Sequence, residues 1–105
     1  TYLDMPETQI AYENFTEQAE LLKALAHPVR LSMLALLSRK GALTVTEIHE
    51  ELALEQAAAS HHLGILKSRG IVAVERDGRN SVYRLRYTCL SQILTCLNQC
   101  SAPPL

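Results

Sequence analysis

Positive charge in this chain gathers around one hairpin. The segment IVAVERDGRNSVYRL (71–85) carries arginines on both sides of an Asp77-Gly78 pair. It follows directly on two short helical patterns, TVTEIHEEL (44–52) and EQAAASHHLGILKSRG (55–70). Residues 1–59 hold nine acids against four bases, a balance of −5, whereas residues 60–105 hold six bases against two acids, a balance of +4. Guanidinium groups such as those of Arg76 and Arg79 suit phosphate, and a slim helix suits the major groove of double-stranded DNA. A helix-turn-helix followed by a cationic β-wing is therefore an architecture for reading DNA. The overall charge of −1 does not oppose this, because the local field governs association with nucleic acid. A merely solvated charged surface would not place its cations on the DNA-facing elements.

A second set of reactive side chains lies near the C-terminus: Cys89, Cys96 and Cys100. At about 100° per residue, Cys96 falls about 20° to one side of Cys89 and Cys100 about 20° to the other. The three thiols form one stripe beside Leu90, Ile93, Leu94 and Leu97. Cys96 and Cys100 are i,i+4 neighbours and can share a thiophilic metal or a metalloid such as As(III). A disulfide between them within a regular helix is poorly aimed, so oxidation there needs local unwinding or a bond across a dimer axis. Three readings stay open: structural thiols, a redox sensor, or a metalloid sensor. No motif calls for any other cofactor.

Catalysis is not indicated. The chain has no Gly-rich phosphate loop, no HExxH and no CxxC, and Glu50-Glu51 point to different sides of a helix. The competing class is a winged helix used for protein interaction without specific DNA binding; Arg76 and Arg79 argue against it. With 105 residues, 48% hydrophobic and 20% charged, the chain fits one domain with a modest aliphatic core. No apolar run approaches the roughly 18 residues of a membrane helix. The polar start TYLDMPETQ does not resemble a signal peptide, and an odd number of cysteines does not suit a disulfide framework. These features predict a cytoplasmic protein without membrane contact.

The elements that must position these groups follow from periodicity and punctuation. Phe15, Ala19, Leu22 and Leu25 recur at helical spacing over 12–25. A break at Ala26-His27 precedes Pro28, which suits a helix start, and Pro28–Leu37 is closed by Arg39-Lys40-Gly41. Thr44 and Glu47 form a capping box ahead of Val45, Ile48 and Leu52. The next helix packs through Ala58, Leu63, Ile65 and Leu66 and ends at Gly70. Ile71–Arg76 and Ser81–Arg86 read as strands joined around Asp77-Gly78. A last helix follows Tyr87. The expected fold is mainly α with a two-stranded β-wing, an α+β winged helix-turn-helix in the order α-α-α-α-β-β-α. The first and last helices have apolar faces with no obvious place in a monomer core, which suggests a symmetric homodimer.

LLKALAHPVRLSMLALL, AASHHLGILKSRGIV and RDGRNSVYRL together resemble the ArsR/SmtB family of winged-helix repressors, over roughly residues 20–86. The resemblance implies a homodimer, paired through the first and last helices, that holds a palindromic operator until an inducer loosens it. Weak periodicity and Pro6 make 1–11 an N-terminal arm, and Ser101-Ala-Pro-Pro opens a C-terminal tail at 101–105, which leaves 12–100 as the DNA-binding and dimerisation domain. The resemblance places Gln56, Ala57, Ser60 and His61 on the exposed start of the recognition helix. Gln56 can pair an adenine edge, and Ser60 and His61 can reach base or phosphate. Arg76 and Arg79 become phosphate or minor-groove contacts. His62 is expected to pack inward or cap a neighbour. Glu55 departs from the family's usual Ser and repels phosphate. The family's third-helix Cys-x-Cys metal site is replaced by Thr44 and Thr46, poor ligands for soft metals. Its last-helix zinc site needs Asp and His, and none follows Asp77. Its thiol switch needs a second-helix Cys, near which this chain has Ala35. The candidate sensor thiols that remain are Cys89, Cys96 and Cys100.

Overall fold

A computed structural model describes residues 2–101; residues 102–105 of the expected tail lie outside the described residues. Short 3-10 turns at Tyr2–Asp4, Glu7–Gln9 and Tyr12–Phe15 lead into α1 (Thr16–Leu25). The chain then bends by 92° into α2 (Pro28–Lys40). His27 makes that corner. Its backbone is extended, and its Nδ1 accepts the Val29 N–H at 3.0 Å, which satisfies a first-turn donor of α2. Gly41, at φ 91°, ends α2 where a side chain would be strained.

A short strand not expected from the sequence, β1 (Ala42–Thr44), follows. It lies antiparallel to β3 (Asn80–Leu85), which also pairs with β2 (Val72–Asp77), so the wing is a three-stranded sheet in the order β1-β3-β2. The two-stranded wing is corrected accordingly. Three residues show no alternation of their own; Leu43 becomes a strand residue only by facing Tyr83 some forty positions away. Thr44 ends β1 and caps α3 (Val45–Glu51). Its Oγ1 accepts the Glu47 N–H at 3.2 Å, and its own N–H donates to Glu47 Oε1 at 3.0 Å.

The turn after α3 is held by His49, whose Nδ1–H donates to the Leu54 carbonyl at 3.2 Å. Ala53 adopts φ 53° there, a left-handed conformation that side chains disfavour. Next come α4 (Gln56–Ser68), the β2–β3 hairpin, a 3-10 turn at Thr88–Leu90, and α5 (Ser91–Cys100). The hairpin loop is Gly78-Arg79, one residue later than expected, because Asp77 pairs with Asn80. Gly78 alone takes positive φ, at 64°, as a two-residue turn with Gly in first position requires.

Met33 and Leu37 of α2, Ile48 of α3, Leu63 and Leu66 of α4, and Ile71 are at most 2% exposed and form the core. Each contributes roughly 1.5–3 kcal/mol by burial. Ala59, fully buried, takes the contact expected of Ala58, which is only half-buried. In α1 the expected stripe is split. Leu25 faces the core with Ala24, while Phe15, Ala19 and Leu22 stay exposed. In α5 Leu90 precedes a half-buried Ile93 and Leu94, and Leu97 is exposed. Among the described residues no single helix is long and apolar enough to cross a membrane.

Candidate nucleic-acid interface

The inward face of α4 is set by Ala59, Leu63 and Leu66. Gln56, Ala57, Ser60 and His61 lie on the opposite side, all exposed. Gln56 is the first residue of the helix, so the amide, the hydroxyl and the imidazole project from its N-terminal half. That end carries the positive pole of the helix dipole, which favours phosphate nearby. Glu55 is the N-cap residue but makes no side-chain capping bond; its carboxylate stands exposed beside the proposed readers. Gly64 and Lys67 continue the same exposed face, and the space where a Gly64 side chain would begin is open. Lys67 was not singled out from the sequence, although its spacing from Ser60 and Gly64 is the signal that would have found it.

Arg76 lies opposite Ser81 near the end of β2, and Arg79 sits in the hairpin loop. Both are exposed, and neither has an ion-pair partner among the described residues. Arg84 is different: it is salt-bridged to Glu75 on the neighbouring strand. The hairpin therefore offers two uncommitted guanidiniums close to its tip. They share the molecule with the exposed face of α4 and can do the same chemistry, which is to hold anionic oxygen.

His62 turns away from this surface. Its Nδ1 accepts from Arg30 Nη1 at 3.1 Å, and its ring lies against that of His27, centroids 4.4 Å apart and tilted by 41°. Arg30 also donates through Nε to the Ala24 carbonyl. Burial, and then the fields of His27, Arg30 and His61, hold the His62 imidazole below its ordinary pKa of 6.5. His61, next in sequence, touches His62 edge-on at 5.2 Å.

All three thiols are free and exposed. Cys89 lies in the 3-10 turn before α5, so the regular helix assumed for the stripe begins only at Ser91. Cys89 and Cys96 nevertheless line one groove with Leu22, Leu90, Ile93 and Leu97, between α1 and α5. Cys100 is not part of that groove and stands at the end of α5. Among the described residues no group of three or more His, Cys, Asp or Glu side chains is arranged to hold a metal ion.

Comparison with known proteins agrees with this geometry. Residues 25–75 match the helix-turn-helix domain family. The chain is 39% identical over 89 residues to the HTH-type transcriptional regulator NmtR of Mycobacterium tuberculosis, covering 85% of this chain and 73% of that protein. Among solved structures, the transcriptional repressor BigR of Xylella fastidiosa superposes with a TM-score of 0.78 at 30% identity, covering 95% of this chain and all of BigR. A homodimeric winged helix-turn-helix DNA-binding domain of Mycobacterium bovis, described as a possible ArsR-family regulator, gives a TM-score of 0.75 at 28% identity, covering 86% of this chain and 82% of that one. With a helix-turn-helix, a β-wing and relatives of this kind, the chain belongs to the ArsR/SmtB family of winged helix-turn-helix transcriptional regulators.

Proposed function

We propose that the protein is a homodimeric repressor that binds a palindromic operator and is released by a thiol-directed signal. Residues 12–100 form the working domain, residues 1–11 an arm and residues 101–105 a tail. Gln56, Ala57, Ser60 and His61 read the major groove, while Arg76 and Arg79 hold the backbone or the adjacent minor groove. The observation that carries this reading is the exposure of that α4 face together with two wing arginines that have no carboxylate partner among the described residues. The homodimeric assembly of the Mycobacterium bovis domain supports pairing. So does the apolar surface of Leu22 on α1 beside Leu97 on α5, which stays exposed among the described residues.

The signal acts at Cys89, Cys96 or Cys100. An oxidant, a reactive sulfur species or a thiophilic metalloid such as arsenite meets exposed thiols beside the pairing helices. Cys96 and Cys100 are the pair that suits a shared soft ion. The test is affinity for DNA from upstream of the protein's own gene, measured with thiols reduced, after mild peroxide, and with arsenite. Tight reduced binding abolished by peroxide or arsenite supports the proposal. Binding that ignores both treatments removes the thiols from the mechanism. No preference for that DNA over an unrelated duplex removes the operator reading and favours a protein-interaction module.

A further inference from the structure

The half of α4 that carries the readers has little apolar anchorage. Leu63 and Leu66 seat the middle and end of the helix in the core. Toward its start only Ala59 is buried, and an alanine offers little contact area. Beside His61, His62 makes a polar contact to another element. Arg30 Nη1 donates to His62 Nδ1 at 3.1 Å across 32 residues of sequence. The same guanidinium donates through Nε to the Ala24 carbonyl in the last turn of α1. His27, which caps α2 through Nδ1, packs its tilted ring against that of His62. One cluster thus joins the end of α1, the start of α2 and the position beside His61.

We propose that Arg30 and His62, seated against His27, are positioning residues for DNA recognition: their hydrogen bond pins the reading half of α4, and it forms only while His62 Nδ1 is free to accept. This rests on the reading of α4 as the groove helix. The protonation requirement follows from donor and acceptor chemistry. Arginine only donates, so His62 Nδ1 must accept, and the Val29 N–H makes the same demand of His27 Nδ1. Both rings therefore carry their proton on Nε2. A proton on His62 Nδ1 sets donor against donor and adds charge beside Arg30. The groups facing His62 are His27 and Arg30 from the neighbouring elements and His61 from its own helix, all cationic when protonated. The contact is thus present above pH 6.5 and is lost as pH falls through the lower value that His62 has in the fold.

The experiment uses a labelled duplex selected from a random library by the wild-type chain, and a shuffled duplex of the same composition. Anisotropy gives the ratio of the two affinities at pH 7.5 and pH 5.5. His62→Asn keeps an acceptor near the Nδ1 position but does not titrate; Arg30→Met removes the donor. The wild-type ratio is expected to fall at the lower pH, but by less than the roughly tenfold that one hydrogen bond to a charged group is worth, because His62 takes up its proton below pH 6.5 in the fold. His62→Asn is expected to hold its ratio at both pH values. Arg30→Met is expected to have lost about tenfold already at pH 7.5, with affinity for the shuffled duplex unchanged. A His62→Asn profile that follows the wild type overturns the proposal, even if Arg30→Met does not fold. Full discrimination by folded Arg30→Met overturns it as well. A wild-type chain that selects no sequence overturns the groove-helix reading beneath it, a result distinct from either.

Discussion

The salt dependence of DNA binding tests the wing residue by residue. Three guanidiniums belong to the hairpin, those of Arg76, Arg79 and Arg84, but they are not equivalent. Arg84 is neutralised by Glu75 before any DNA arrives, whereas Arg79 has no such partner among the described residues. Counterion release counts only the cations that settle on phosphate, each worth about 0.9 in the slope of log K against log salt. A bound dimer carries two copies of every substitution. Arg79→Ala should therefore lower the slope by about 1.8. Between about 0.1 and 0.3 M salt, that makes the wild type lose roughly sevenfold more affinity than the variant does. Arg84→Ala should lower the slope by less than Arg79→Ala does, because that guanidinium is already paired with Glu75. The assay is an anisotropy titration of the operator duplex at several salt concentrations for the three proteins. An unchanged slope in Arg79→Ala refutes the reasoning. An equal drop in Arg84→Ala refutes it too, because the cross-strand pair would then not be sequestering that charge.

Two further predictions concern the scaffold beneath the readers. Ala53→Gly removes a left-handed strain of roughly 1–2 kcal/mol at the cost of extra chain entropy. A net gain of about 0.5–1 kcal/mol should raise the thermal midpoint by roughly 2–8 °C; a lower midpoint would mean the turn is not strained at φ 53°. Thr44→Ala breaks the capping box and should cost about 1 kcal/mol in denaturant unfolding, with Thr44→Ser recovering much of it; an unchanged midpoint would show that the Glu47 contact contributes nothing.

The local features of this protein were legible along the chain because their physics is local. A capping box needs only Thr44 and Glu47 three residues apart, a helix corner needs only Pro28 after His27, and a hairpin needs a glycine between two runs of strand-forming residues. The exposure of Gln56, Ala57, Ser60 and His61 follows from helical period once Leu63 and Leu66 are taken as core. Even here the answer slipped by one residue in places: Ala59 is buried where Ala58 was expected, and the loop is Gly78-Arg79 rather than Asp77-Gly78. A helix rotates by about 100° per residue, so a small error in where it meets the core changes which alanine is covered.

Sequence by itself determined the order of the helices, the wing and the caps, because each depends on side chains within a few residues of one another. Tertiary structure alone decided what depends on distant partners. The strand at Ala42–Thr44 exists only because β3 returns to pair with it. Among the described residues Arg84 is paired and Arg79 is not, because Glu75 stands across the hairpin from one and not the other. The first-helix stripe divides between Leu25 inside and Leu22 outside because the body of the domain covers only one side of α1. His62 finds Arg30 and His27 because the fold closes a gap of 32 residues. Periodicity states that a face exists, but only packing states what covers it.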